Sequence, residues 1–215
     1  MKYAIASALV LCYTFSEVMT VSKDRLAAFM DAVLAIIITI LVLELPKPDP
    51  VTIENVLALR ESYICYALSF FWLGSLWVGL HNEWHHIQII NKKVVWLGVL
   101  MLFVTSWIPY ALSVVIMDPI NELAQLLYGG SVMLVILANL LLSTALYKCH
   151  VDIEELDSDE HAWIVEMTYI PEILIVAIGM ILSASVYPPL MSVSVFIAML
   201  WTHLPFHKIY QEKVK

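Results

Sequence analysis

Residues Arg25–Pro46 read RLAAFMDAVLAIIITILVLELP. Their centre, Ala32–Leu43, carries no charge and is rich in β-branched side chains. A helix needs roughly 20 apolar residues to cross about 30 Å of hydrocarbon. Leu26–Leu45 supplies that length, with Arg25 and Asp31 towards one end and Glu44 at the other. Pro46, Pro48 and Pro50 then end it, because proline has no N–H to give and its ring obstructs a helix. The stretch reads as a transmembrane helix, and the rest of the chain repeats its character.

Ser62–Leu80, Val94–Met117 and Leu123–Tyr147 run 19, 24 and 25 residues without a formal charge, one span each. Ile173–Thr202 runs 30, too long for one ordinary span, and Tyr187-Pro188-Pro189 breaks it. Ile173–Val186 is only 14 residues, so the fifth span must begin earlier, near Ala162, and take in Glu166, Pro171 and Glu172. The sixth runs from about Pro189 to His207. The whole composition agrees: of 215 residues 61% are hydrophobic and 14% charged, with mean hydropathy +0.85. Soluble domains run about 45–50% apolar and about 25% charged. A soluble or disordered chain is excluded. So is a disulfide scaffold, since Cys12, Cys65 and Cys149 are an odd, scattered set. A net charge of -8 does not suggest a nucleic-acid partner. The expected fold is all-α: a polytopic membrane protein with six transmembrane helices at residues 20–210, an N-terminal extension at 1–19 and a tail at 211–215.

Basic residues in short loops set orientation. With six spans, Lys2, Lys23, Arg25, Lys92, Lys93, Lys148, Lys208, Lys213 and Lys215 share one side, and Lys47 and Arg60 the other. Both termini are therefore expected in the cytoplasm. The acidic stretch Lys148–His161 reads as a solvated connector or as a cation-attracting vestibule.

Asp31 is chemically odd, one to two turns inside a membrane helix where a lone carboxylate is costly. Arg25, Phe29 and Asp31 spell R-x-x-x-F-x-D, followed by Ala32, Val33, Ile36, Thr39 and the exit Leu43-Glu44-Leu45-Pro46. This stretch resembles the signature first helix of the transmembrane-protein-175 potassium channel family, in particular its bacterial and archaeal members with one six-helix repeat per chain. The family's motif is R-x-x-x-F-S-D, and Met30 stands here in place of the serine. Phe71-Trp72, His85-His86 and Pro109 resemble family features more loosely. The resemblance implies a homotetramer in a prokaryotic cell membrane, with four first helices around a passive, potassium-permeable pore and no cofactor beyond the permeant ion. It implies pore-facing Ile36, Thr39 and Leu43, with Ile36 the narrowest ring, and selectivity for potassium over sodium. No T-V-G-Y-G is present to build a carbonyl filter. On the residues alone, an Ile, Thr and Leu face reads first as packing, and Ile40 shares its neighbourhood. A network joining Arg25 and Asp31 to His81, His85 and His86 would neutralise the carboxylate.

Two readings from other classes compete. His81-x-x-x-His85-His86 resembles the first histidine box of membrane di-iron desaturases and hydroxylases, and His203-x-x-x-His207 is a second pair at metal-ligand spacing. Those enzymes need more histidines than the seven here, so neither a metal site nor an enzyme is expected. A proton-coupled transporter would use Glu172 as its carrier. The alternative for Glu172 is a hydrogen bond to backbone, Asn139 or Gln125. Trp72, Trp77 and Trp107 are expected between helices, and Gly74, Gly79, Gly98 and Gly179 where helices approach closely.

Overall fold

The computed structural model describes residues 21–151 and 165–202. The expectations for 1–19, for His161, His203 and His207, and for the tail at 211–215 lie outside them. The described residues are helical: α1 (Lys23–Ile40) running into a 3₁₀ turn (Leu41–Glu44), α2 (Ile53–Ala58), α3 (Arg60–His86), α4 (Lys92–Thr105), α5 (Ile108–Met117), α6 (Glu122–Val151), a π-helical turn (Val165–Tyr169) leading into α7 (Ile170–Ser185), and α8 (Leu190–Thr202). Among the described residues, five stretches are long and apolar enough to span a membrane: Lys23–Glu44, Arg60–His85, Lys92–Met117, Glu122–Cys149 and Glu166–Ser185. α8 is a shorter apolar helix, its 13 described residues covering part of the expected sixth span.

Local chemistry sets the boundaries. The Ser22 hydroxyl accepts from Arg25 N–H and starts α1. Asn91 does the same for Val94 at the start of α4. The third span is not one continuous helix. It breaks at Ser106-Trp107, because Pro109 cannot donate to the turn before it and instead sits in the first turn of α5. The break at Tyr187-Pro188-Pro189 falls between α7 and α8, and Ser183 Oγ pins it by donating to Pro188 O at 2.8 Å.

α6 is the central post, packed on α4, α5, α7 and α8. Buried Val132, Val135, Ile136, Leu142 and Leu146 line it. α7 and α8 approach closely at Gly179, where an added Cβ would strike the Ser194 side chain. Gly98 likewise admits Met30 of α1, at 3.1 Å from the position a Cβ would take. Gly74 and Gly79, expected at such contacts, have nothing within 4 Å. Trp72 is buried as expected, but Trp77 and Trp107 are exposed on this subunit. α1 stands at one side of the bundle, packed on α3, α4 and α5.

Candidate functional site

α1 has two opposed faces. Leu26, Met30, Leu34, Ile37 and Leu41 are each 4% exposed or less and point into the subunit. At about 100° per residue, Arg25, Ala28, Phe29, Ala32, Ala35, Ile36, Thr39 and Leu43 fall within an arc of roughly 120° on the other side. All of these are exposed. Ile36 is 57% and Leu43 77% exposed. Ile40 is half-buried at the edge of this arc, so it flanks the face rather than lying along its centre.

The open face of α1 differs from those of its neighbours. α7 exposes Ile170, Leu174, Ile178 and Ile181, a stripe of large aliphatics suited to lipid tails. The open face of α1 alternates bulk (Phe29, Ile36, Leu43) with small residues (Ala28, Ala32, Ala35) and one hydroxyl, Thr39. The Thr39 proton is committed: Oγ1 donates to Ile36 O at 2.9 Å. Its lone pairs remain on the open side, so Thr39 presents an acceptor to whatever faces α1.

Asp31 sits on the flank between the two faces, and its partner is not the one expected. Trp77 Nε1 donates to Asp31 Oδ1 at 2.8 Å. Trp77 in turn stacks on His81, centroids 5.5 Å apart at 29°, and His81 meets His85 edge-on at 5.3 Å. His81 and His85 therefore belong to a ladder along α3 that reaches Asp31 only through the tryptophan. The Arg25 side chain is exposed. Arg60 pairs with Glu61 at 3.9 Å, whereas Arg25 and Asp31 are not linked to each other. Depth explains the arrangement. Asp31 lies eight residues above Lys23 and Trp77 nine above His86, about 12 and 13 Å along helices running in opposite directions. His81 is a turn too shallow.

Glu172 is buried in the first turn of α7. The expected partners on α6 are engaged elsewhere. Asn139 Nδ2 donates to Tyr169 Oη, and Gln125 donates to Pro119 O and accepts from Ser192. Sequence reasoning missed Glu83, whose Oε1 accepts from the Tyr169 hydroxyl at 3.2 Å. Glu83 and Glu172 line one cavity between α3, α6 and α7. The signal available in sequence was the acid in the segment His81-Asn82-Glu83-Trp84-His85-His86, where the histidines drew attention instead.

Comparison with known proteins bears on this geometry. Residues 25–109 match the family model described as the endosomal/lysosomal potassium channel TMEM175. A potassium channel of Chryseobacterium sp. is 28% identical over 141 residues, 66% of this chain and 73% of that protein. The endosomal/lysosomal proton channel TMEM175 of Danio rerio is 33% identical over 87 residues, 35% of this chain but only 17% of its own length. The crystal structure of a lysosomal potassium-selective channel TMEM175 homolog from Chamaesiphon minutus superposes with a TM-score of 0.64 at 22% identity. That match covers 86% of this chain and 97% of the other, and carries the fold. With its apolar helices the chain is a multi-pass membrane protein, and over residues 25–109 it is similar to the TMEM175 family; the relatives it matches are named as ion channels, not as enzymes.

Proposed function

We propose that the chain is one subunit of a potassium-permeable cation channel in the cell membrane, a homotetramer whose four α1 helices surround the pore. In this reading Ile36 forms the narrowest ring. Thr39 offers four acceptor oxygens to a partly dehydrated ion one turn away, and Leu43 forms the ring beyond. The channel unit spans residues 20–210, with both termini on the cytoplasmic side. Ions pass by diffusion through a constriction that is wetted when open and dry when closed. Potassium is favoured over sodium because the larger ion loses its hydration shell at lower cost.

The observation that carries this reading is the contrast between the open faces of α1 and α7. A face that mixes alanines, a hydroxyl and spaced bulky residues, with a carboxylate on its flank, suits close approach of protein and water better than lipid. One chain supplies one such face, so a pore requires symmetry-related copies. The names of the relatives point the same way.

The test is planar-bilayer recording of wild type and Ile36→Asn under potassium and sodium gradients. A polar ring keeps the constriction wet, so conductance rises and the reversal potential shifts towards that of a non-selective pore. Unchanged recordings remove Ile36 from the pore. A second reading, proton permeation, is favoured by the naming of the Danio rerio relative. A pH-sensitive dye inside protein-bearing liposomes separates the two ions.

A further inference from the structure

The closed face of α1 rests on α4 at a glycine. A Cβ added at Gly98 would stand 3.1 Å from Met30 Sδ, and 3.6 and 3.8 Å from Leu26 Cδ1 and Cδ2. Gly98 is buried between Val94 and Met101 of the same helix. Met30 is 1% exposed and Leu26 3%, so neither side chain has open space to swing into. The contact is level on the two helices. Met30 lies seven residues above Lys23 and Gly98 six above Lys92, about 11 and 9 Å along helices that run the same way.

The direction of the contact matters more than its tightness. At about 100° per residue, Met30 lies about 160° round α1 from the centre of the open arc. A push on Met30 from α4 therefore drives α1 almost straight towards its open face. Phe29 and Ala32 stand on that face at this level, and Ile36 is about 9 Å further along. Beyond Ile36, the 3₁₀ turn Leu41–Glu44 packs on α5. α1 is thus held at two heights, and the lower hold depends on the volume at two positions. Interiors are close-packed, so atoms added there shift the backbone rather than fill a void.

We infer that the Gly98–Met30 contact sets the width of the conduction path, with Gly98 as the positioning residue that fixes how far α1 stands off α4. The inference rests on the reading of α1 as the pore helix. Gly98 touches no ion; it acts through Met30 and the backbone of α1.

The test is unitary potassium conductance of purified full-length protein in planar bilayers. A variant that merely folds less well gives fewer channels of the same conductance, so this readout separates width from stability. Gly98→Ala adds one carbon at the contact and Gly98→Val three. Conductance should fall measurably in the first and severalfold in the second. Met30→Val withdraws the sulfur and its methyl, so Gly98→Ala combined with Met30→Val nearly conserves volume and should return conductance to the wild-type value. Should Gly98→Val fail to fold, Gly98→Ala and the double variant decide the matter. Ile36→Asn is recorded in the same bilayers. If Ile36→Asn alters conductance while Gly98→Ala leaves it unchanged, or the double variant fails to restore it, Gly98 does not set the width. If neither Ile36→Asn nor Gly98→Ala alters conductance, the pore reading itself falls, and this inference with it.

Discussion

Leu34 and Ile36 lie two residues apart on α1, and truncating each to alanine is expected to do opposite things. Leu34 is 0% exposed and Ile36 57%. In a bilayer the transfer contribution is small, because lipid tails are as apolar as leucine. What remains is the cavity. Leu→Ala vacates roughly 80 Å³, which at about 24 cal/mol per Å³ costs about 2 kcal/mol. That is about a 30-fold shift in the unfolding equilibrium. Ile36→Ala leaves no cavity inside the subunit, so its effect on subunit stability should stay within about 0.5 kcal/mol. In the proposed tetrameric pore four side chains would retreat from the narrowest ring, so its effect on ion flux should be large. Denaturant unfolding in micelles, followed by tryptophan fluorescence, measures the first quantity; potassium flux from liposomes measures the second. If Ile36→Ala destabilises as much as Leu34→Ala while flux per folded protein is unchanged, the open face of α1 packs against protein and the pore assignment is wrong.

Three further outcomes follow from particular contacts. Trp77→Phe removes the 2.8 Å donor to Asp31 while keeping the stack on His81. A charge-assisted bond is worth roughly 1.5–3 kcal/mol, and the exposure of Asp31 on the subunit places the loss at the low end; denaturant unfolding reads it. Thr39→Val preserves shape and removes the oxygen, so potassium flux should fall severalfold with stability unchanged; equal flux would show that the hydroxyl does not meet the ion. Gly179→Ala drives a methyl group into Ser194 at the α7–α8 contact and should cost about 1–3 kcal/mol by overpacking, whereas Gly74→Ala, facing open space, should be silent in the same unfolding assay.

The spans were legible because a run of uncharged residues has one economical interpretation at a known bilayer thickness. Arg25–Pro46 carries a helix, its proline stop and the family resemblance. The break at Tyr187-Pro188-Pro189 was equally plain. The interruption at Ser106-Trp107 was not, because Val94–Met117 is apolar throughout and only Pro109 marks it. Partners across helices were the hardest to read. Histidines near Asp31 in the sequence argument gave way to Trp77, whose depth matches; counting rise from each helix end would have found it. For Glu172 the sequence offers backbone, Asn139 or Gln125 as partners, and both amides serve other groups. Glu83 escaped notice because its burial depends on how α6 and α7 close over α3, which no local pattern encodes.

The central claim is that ions pass along the open face of α1. Its most direct test is cysteine modification during potassium flux from liposomes, with a cationic thiosulfonate as the reagent. In a Cys12→Ser background, Ile36→Cys should lose most of its flux on modification, while the Cys12→Ser parent, whose remaining Cys65 and Cys149 are buried, and Leu34→Cys keep theirs. Full flux through an Ile36→Cys channel shown by mass to be modified would contradict the account.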